Sequence, residues 1–412
     1  MKTKIDLSFF FDGSMGFDLR QSQQYKKNMQ RCIKASQQLM TEVQNNSNEI
    51  INSFSISYQN KIKKLRDQIK TDKQILVIGL GGSSAGAKAI NGYLKKNIYF
   101  LDNYDPGHLS NFFKNHNLND FTIYVISKSG NTYETLAMLN LIYQYMLKIS
   151  NKNFIKKKFI IIVENTNNFL NNFAKKVGCK IVEHNPKIGG RYSVFSETGM
   201  LLFNLKPKLI SQATNAVISK LKQKNTNDHC SPIVNAALIL TLQQKSKIKF
   251  NINLLYEYSL KNYSYWFHQL FAESLGKNQN AITPMTSICP KDHHSMMQLF
   301  IDGPRDKLFN IYAPTTSNDF KKFSSLNLGN IEDKSPNSLL QAQFQGLLKT
   351  FKHLKIPFRV ITCSNLQKDK ALNILELLAY NIIETIILGY AQNLNPYDQP
   401  AVEQIKINTF NF

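Results

Sequence analysis

Cysteine is scarce in this chain, and no two cysteines are close in sequence. The 412 residues contain five, at positions 32, 179, 230, 289 and 363, with no C-x-x-C pair. This spacing excludes a zinc ribbon and a thioredoxin-type motif. An odd number of isolated cysteines is typical of proteins from a reducing compartment, so we expect free thiols.

Long hydrophobic runs are missing as well. Three aspartates interrupt the first 20 residues, which therefore do not form the apolar core of a secretory signal. The longest apolar stretch, Ile374–Tyr390, contains Glu376, Asn381 and Glu384, and it is too short and too polar to cross a membrane. The stretch predicts a buried helix, and the chain predicts a cytoplasmic protein with no membrane partner.

Acidic residues are few. Asp and Glu number 28 against 51 Lys and Arg, and the formal net charge of +23 suits a polyanionic partner. The lysines are scattered, however, with short clusters at Lys61–Lys64, Lys95–Lys96 and Lys156–Lys158, and Asn and Ile are abundant beside them. That combination favours a coding bias. Because no helix-turn-helix, RNP-type or finger motif is present, we expect no nucleic-acid partner.

Apolar residues make up 42% of the chain, enough for two hydrophobic cores. Short apolar runs alternate with stretches of helical periodicity, a pattern typical of parallel sheets covered by helices on both faces. The predicted strands are Ile75–Ile78, Ile98–Leu101, Thr122–Ser127, Phe159–Val163 and Lys180–Glu183, then Ile252–Tyr256, Ala281–Met285, Leu308–Ala313 and Phe358–Thr362.

These elements predict the α/β fold class with two mainly parallel domains. We place an N-terminal helical segment at 1–70, a first domain at 71–203, a second at 211–392 and a C-terminal arm at 393–412. Asn204–Ile210 is the predicted crossing segment. Helices are predicted at Asn131–Ile149, Ser211–Lys224, Ile233–Lys245, Tyr263–Gly276, Leu339–His353 and Lys368–Gln392.

The loop Gly79–Gly86, after the first predicted strand, is rich in glycine and serine. It fails the G-x-G-x-x-G test because Ser84 stands at the third glycine. It also fails the Walker A test because Ala87 follows Gly86. The loop keeps the hydroxyl of Ser83 and a flexible backbone, which suit either a ligand or a simple tight turn.

A second loop, Ser127–Thr135, follows a predicted strand and opens a predicted helix. Backbone N–H groups and the positive end of the helix dipole favour anions at such a position. The loop contains four hydroxyl side chains, more than N-capping of the helix needs, so it favours a phosphate monoester site. Lys128 either adds charge there or is solvated. The four hydroxyls belong to Ser127, Ser129, Thr132 and Thr135.

A fixed cation and a carboxylate are the next candidates. Arg191 follows a glycine pair ending at Gly190, so that the backbone can approach a ligand while the guanidinium stabilises an oxyanion. Gln269 and Glu273 are four residues apart on a predicted helix and share one face. Apolar neighbours predict that burial raises the pKa of Glu273 toward that of a useful base, although an exposed helix pair explains the spacing equally well.

Two segments nearer the C-terminus complete the set. His293 and His294 stand before a predicted helix start, and Tyr397–Lys406 contributes Gln399 and Lys406 to a polar cluster. Surface histidines, and one more lysine of many, are the plainer interpretations. No H-E-x-x-H motif or His/Cys ligand cluster is present, so we expect no metal and no cofactor.

Together and in this order, these segments resemble the glucose-6-phosphate isomerase family in its shorter bacterial form. The resemblance runs from about Ile75 to Lys406 and depends on Gly-Gly-Arg-Tyr-Ser, Gln-Leu-x-x-Glu-Ser-x-Gly-Lys and Tyr-Asp-Gln-Pro-x-Val-Glu-x-x-Lys. It implies two αβα sandwich domains of the sugar-isomerase type. It also implies reversible isomerisation of D-glucose 6-phosphate and D-fructose 6-phosphate through a cis-enediolate, in glycolysis and gluconeogenesis.

The resemblance implies a role for each candidate residue. Glu273 would be the base, Arg191 would stabilise the enediolate, and His294 with Lys406 would open the sugar ring. The histidine would come from the neighbouring subunit of a homodimer. The hexose 6-phosphate substrate would contact Ser83, Ser127, the backbone of Lys128, Ser129, Thr132, Thr135, Gly190, Gln269 and Gln399.

Three positions depart from the family pattern. Asn131 stands where Thr is usual, Ala401 where Gly is usual, and Glu197 where the residue is usually uncharged. None of them removes a proposed catalytic side chain. Two alternatives stay open: an isomerase that also accepts mannose 6-phosphate, and a non-catalytic sugar-phosphate-binding regulator on the same fold. The base and the fixed cation disfavour the regulator, which needs neither.

Overall fold

A computed structural model describes residues 1–13, 18–222, 226–279, 281–315, 334–364, 367–402 and 408. The chain forms two compact units. Unit 1 comprises Met1–Thr41 and Ala216–Phe412, and unit 2 comprises Glu42–Asn215. Residues 1–70 are therefore divided between the two units.

The secondary structure alternates strand and helix through both units. The strands are β1 (Lys4–Asp6), β2 (Gln74–Ile78), β3 (Ile98–Leu101), β4 (Phe121–Ile126), β5 (Phe159–Val163), β6 (Lys180–Glu183), β7 (Phe250–Leu255), β8 (Thr283–Ile288), β9 (Lys307–Tyr312) and β10 (Phe358–Thr362). The helices are α1 (Ser8–Phe11), α2 (Gln23–Gln44), α3 (Glu49–Asn52), α4 (Ile56–Asp67), α5 (Ala85–Leu94), α6 (Pro106–Asn115), α7 (Tyr133–Ile149), α8 (Lys152–Lys158), α9 (Phe169–Val177), α10 (Glu197–Met200), α11 (Pro207–Lys222), α12 (Pro232–Lys245), α13 (Lys261–Leu275), α14 (Met297–Asp302), α15 (Pro336–His353) and α16 (Lys370–Ala391).

Unit 2 is built on a five-stranded parallel sheet in the order β3-β2-β4-β5-β6. Every residue of β4 and β5 is buried. Their β-branched, almost wholly apolar sequences suit strands that are covered on both faces. Because β2 and β4 are parallel and paired, the loops that follow them, Gly79–Ser84 and Ser127–Thr132, begin at the same edge of the sheet.

Unit 1 has a second five-stranded sheet in the order β1-β10-β9-β7-β8. The four strands β7 to β10 are parallel, and β1 adds to the edge in the antiparallel direction. The N-terminal strand was not predicted, because its exposed-buried-exposed alternation covers only three residues, with Ile5 alone buried.

The apolar helix α16 forms part of the core of unit 1. It is long and apolar enough to cross a membrane by composition, but 94% of its most apolar window is buried inside the fold. Its Glu384 is paired with buried Arg359, and Glu376 accepts hydrogen bonds from the backbone of Lys2 and Thr3. The prediction of a buried helix is confirmed.

The predicted α/β class with mainly parallel sheets is confirmed, and four strands match to the residue: β3, β5, β6 and β10. Other predicted boundaries differ from the structure by a few residues. Strand β8 begins at Thr283 and ends at Ile288, later than predicted. The crossing segment is shorter than predicted because α11 begins at Pro207. Proline suits the first helical turn, where a backbone N–H has no hydrogen-bond partner within the helix.

Candidate active site

In unit 2, the two glycine loops singled out in the sequence lie against each other. A Cβ on Gly82 would come within 2.1 Å of the carbonyl carbon of Gly190, so the two backbones touch. Ser193 fixes the contact, because its hydroxyl bonds to the carbonyls of Gly82 (3.2 Å) and Gly190 (2.7 Å). Glycine is therefore required here for close approach, and Ser83 and Gly190 belong to one surface.

Arg191 directly follows Gly190, in a 3-10 helix that spans Gly190–Phe195. The residue is only 2% exposed, and its guanidinium carbon is 5.2 Å from the centroid of the Tyr192 ring. A guanidinium keeps its charge at any physiological pH. The loop therefore provides a fixed positive charge beside the glycine backbone.

The hydroxyl-rich loop precedes the 17-residue helix α7. The Ser127 and Thr132 hydroxyls are 2.9 Å apart, and the Ser129 hydroxyl accepts from the backbone N–H of Asn131 at 3.3 Å. Thr132 occupies the N-cap position, yet its side chain accepts no hydrogen bond from the first turn. Thr135 Oγ1 is buried and has no partner within the described residues. The hydroxyls are therefore not consumed by helix capping.

The ammonium group of Lys128 points away from these hydroxyls. It donates to the carbonyl of Pro186 at 2.6 Å and lies 3.5 Å from a carboxylate oxygen of Glu164. The backbone carbonyl of Lys128 also accepts from the Glu164 N–H at 3.1 Å. What Lys128 offers to a ligand is its backbone.

Two of the three departures have structural reasons in unit 2. The side chain of Asn131 accepts from the backbone N–H of Phe169 at 3.1 Å, so it caps the start of α9. Gly130, beside it, has φ +68°, and a Cβ there would lie 2.1 Å from the Asn168 side-chain oxygen. The loop is thus tied to α9 at the position where the family usually has Thr.

Glu197 is a buried structural group. Its carboxylate accepts from His184 Nδ1 at 2.7 Å, from the Asn185 backbone N–H at 2.8 Å and from the Tyr58 hydroxyl at 2.9 Å. Burial alone would raise the pKa of Glu197, but these hydrogen bonds, chiefly that from His184, hold it below its usual range. The carboxylate, at the start of α10, joins α4 to the segment that follows β6.

Replacing Glu197 with Gln is expected to destabilise unit 2 by about 1–3 kcal/mol, since one acceptor oxygen becomes a donor that faces another donor. A carboxyl group with a lowered folded pKa stabilises above its unfolded pKa of about 4.3 and loses that effect as pH falls through the folded value. Thermal unfolding should show the full difference from wild type above about pH 5 and a smaller one below it. Exposed Glu183→Gln is the control, and an equal effect there would contradict this role.

In unit 1, Gln269 and Glu273 lie on one face of α13, as their spacing predicts. The amide nitrogen of Gln269 donates to Glu273 Oε1 at 3.0 Å. Its amide oxygen is buried and has no partner within the described residues. Both side chains are half-buried rather than buried. The pair therefore presents one carboxylate and one unused acceptor.

Glu273 lines a cavity of about 770 Å³ together with the start of the C-terminal arm. Gln399 and Ala401 line the same cavity, so the fold brings them to Glu273 from more than a hundred residues away. Lys277, just after the end of α13, holds the arm by bonding to Asp398 and to a backbone carbonyl. The sequence does not predict this ion pair. Lys277 and Asp398 lie in two different motifs of the family resemblance, and no local pattern links residues so far apart in the chain.

The two adjacent histidines have different surroundings. His293 is bonded through Nε2 to the Tyr256 hydroxyl at 2.7 Å, and burial together with neighbouring His294 lowers its pKa. His294 is exposed at the end of a 3-10 turn. Asp292 fixes this turn through the Ile288 N–H and two serine hydroxyls. Of the two, His294 is the one available to a ligand or partner.

Two further findings bear on the predicted ligands. Lys406 lies outside the described residues. Across the ranges that the structure describes, no group of three or more His, Cys, Asp or Glu side chains is arranged to hold a metal ion.

The fold and these loops define a sugar-isomerase-type α/β protein. The structure is similar to a hypothetical protein of Thermus thermophilus (TM-score 0.82, 20% identity, 99% of both chains). It is also similar to a glucose-6-phosphate isomerase of Chlamydia trachomatis (TM-score 0.69, 17% identity, 88% of this chain and 72% of that one). Residues 24–289 match the Phosphoglucose isomerase family model. Glucose-6-phosphate isomerase of Methanocaldococcus jannaschii is 30% identical over 365 residues, 87% of this chain and 88% of the relative. The chain belongs to the phosphoglucose isomerase family.

Proposed function

We propose that this chain interconverts D-glucose 6-phosphate and D-fructose 6-phosphate, as an intramolecular oxidoreductase of glycolysis and gluconeogenesis. The observation that carries the proposal is the Glu273 carboxylate, which lines the cavity of unit 1 and accepts from the Gln269 amide, in a chain that belongs to this family. Aldose–ketose isomerisation moves one proton between adjacent carbons. It needs a carboxylate in a restricted pocket and no redox cofactor.

Glu273 is assigned as the base. Its carboxylate would remove the proton from C2 of the aldose and return it to C1, leaving a cis-enediolate between the two steps. The Gln269 amide donates to one carboxylate oxygen, which fixes the orientation of the group. The buried amide oxygen of Gln269 would accept a hydrogen bond from a sugar hydroxyl, and Gln399 would contact the substrate from the arm.

Arg191 is assigned to the enediolate. The negative charge develops only during reaction, so a preorganised buried guanidinium stabilises the transition state more than the ground state. Its burial and its position beside the Gly82–Gly190 backbone contact support this role. Ser83 and Gly190 would line the sugar at the same surface.

The phosphate is assigned to the hydroxyl-rich loop of unit 2. Ser127, Ser129, Thr132 and Thr135, with the backbone at Lys128, would hold its oxygens at the start of α7. This group does not react, so its binding energy serves to position the sugar.

Removing the Ser127 or Thr132 hydroxyl, as Ser127→Ala or Thr132→Val, is expected to raise KM for fructose 6-phosphate about 10-fold or more, because each deletes a hydrogen bond to a charged group. Initial-rate kinetics of the two variants measure this KM. Thr350→Val removes a hydroxyl of α15 at a half-buried position and serves as the control. Unchanged KM in both loop variants would place the phosphate elsewhere.

His294 and Lys406 are assigned to ring opening, with His294 acting in the neighbouring subunit of a homodimer. The exposure of His294, and of Leu299 (47%) on the adjacent α14, supports the subunit contact.

A complementation experiment tests this subunit arrangement. Neither the His294→Ala variant nor the Glu273→Gln variant alone should turn over fructose 6-phosphate well. When equal amounts of the two variants are mixed and their subunits reassort, the mixture should regain about one quarter of wild-type activity. Half of the dimers then contain one variant of each kind and hold one complete site of two. No recovery would assign His294 to its own chain.

The proposal requires no cofactor, no nucleic acid and no membrane, and it places the reaction in the cytoplasm. The test is a coupled assay in which purified chain forms glucose 6-phosphate from fructose 6-phosphate. Turnover is the expected result. Binding of fructose 6-phosphate without turnover would favour the regulator, and turnover of mannose 6-phosphate as well would favour the broader isomerase.

A further inference from the structure

A continuous chain of buried polar side chains crosses the sheet of unit 1. Arg359 on β10, Asn310 on β9, Asn253 on β7 and Thr286 on β8 are direct register partners, so they form one row across four parallel strands. The first three are at most 3% exposed. Four polar side chains in one row of a hydrophobic sheet need a reason, because each must be satisfied internally.

The row is closed at one end by a charge pair. Arg359 is bonded to Glu384 of α16 at 2.7 and 3.2 Å, and to the Asn235 side chain at 2.7 Å. The guanidinium is therefore held in place and keeps its charge. Its Nε donates onward to the side-chain oxygen of Asn310 at 2.7 Å.

Beyond that point, hydrogen bonds continue to α13, with a branch from the Asn310 amide to the Asn251 side-chain oxygen at 2.7 Å. Asn310 donates to Asn253 at 2.8 Å, and Asn253 donates to the Ser264 hydroxyl at 2.8 Å. The Ser264 hydroxyl lies 2.6 Å from the Thr286 hydroxyl, which in turn lies 2.7 Å from His268 Nε2. The His268 ring also bonds to the backbone of Met285. Linked hydrogen bonds of this kind strengthen one another.

The chain ends on the helix that carries the proposed base. Ser264 and His268 are four residues apart on α13 and share the face that packs on β8. Gln269 and Glu273 occupy the neighbouring face. Burial lowers the pKa of His268, against a smaller opposite effect of the Met285 bond.

We propose that His268 is a positioning residue that, clamped by Thr286 and Met285, sets the rotation of α13 and thereby the carboxylate of Glu273. The inference rests on the proposed function. A base displaced by about 1 Å loses up to about 100-fold in rate without losing the substrate's binding groups. His268 acts through the helix and does not touch the substrate.

The test measures kcat and KM for fructose 6-phosphate in four variants. His268→Ala and Thr286→Val should each lower kcat about 10- to 100-fold with KM within about 2-fold of wild type. The double variant should be no worse than the more affected single one, because both remove the same clamp. His268→Gln, whose side-chain amide reaches the position of Nε2 and can donate to or accept from the Thr286 hydroxyl, should recover most of the rate. Thr350→Val is the matched hydroxyl control.

Unchanged kcat in both single variants, even with a lower melting temperature, would overturn the inference by showing a purely structural role. So would a rise in KM alone. Thr286→Val preserves side-chain shape and keeps the test open if His268→Ala does not fold. Absence of turnover in wild type would instead overturn the proposed function itself.

Discussion

Glu273→Gln is expected to lower kcat about 10²–10⁴-fold while fructose 6-phosphate still binds. The amide has the shape of the carboxylate but cannot take a proton, so only the chemical step is lost. The amide oxygen of the new residue can still accept from the Gln269 amide nitrogen, so α13 should keep its structure. Initial rates give kcat, and calorimetric titration gives the dissociation constant.

The control for Glu273→Gln is Glu183→Gln, which removes one negative charge from an exposed position on β6. It separates the loss of a base from a change in net charge. If Glu273→Gln kept the wild-type rate, the base would be a different residue. If it lost binding as well as rate, Glu273 would be a binding group.

Arg191→Lys is expected to lower kcat about 10²–10³-fold, the loss typical when an oxyanion-stabilising donor is removed. Lysine keeps the positive charge, but its ammonium group lacks the planar fork of the guanidinium and is more strongly hydrated. KM should change less than kcat, because the charge on the enediolate exists only in the reacting state.

Arg305→Lys is the control for this second substitution, since Arg305 is exposed in unit 1. Thermal unfolding of Arg191→Lys should be compared with wild type, because Arg191 is buried beside Tyr192. A kcat within a few-fold of wild type in a folded variant would contradict the assignment of Arg191 to the enediolate.

Much of the fold could be predicted because its strands are locally distinctive. The run Phe159–Val163 is apolar, β-branched and bounded by polar residues, and it is a strand at those residues. Strand β1 could not be predicted, since its pairing with β10 joins opposite ends of the chain. The start of α11 at Pro207 was misjudged because proline both ends and begins helices.

The elements that carry the candidate residues could be predicted from the sequence, but their contacts could not. The sequence placed Gln269 and Glu273 on one helix face, and the structure joins them at 3.0 Å. It could not show that the Lys128 ammonium bonds to Pro186, or that Glu197 holds His184 and Tyr58. Those partners are set by tertiary packing, which leaves no local pattern in the sequence.

The central claim is that one carboxylate moves a proton between C1 and C2 of a hexose 6-phosphate. The most direct measurement is NMR of fructose 6-phosphate incubated with the purified chain in D₂O. The incubation reaches equilibrium and then continues for many further turnovers. A proton carried by Glu273 exchanges with solvent, so the account predicts glucose 6-phosphate with deuterium at C2, formed by wild type and scarcely by Glu273→Gln. Glucose 6-phosphate without deuterium, or no interconversion at all, would contradict the account.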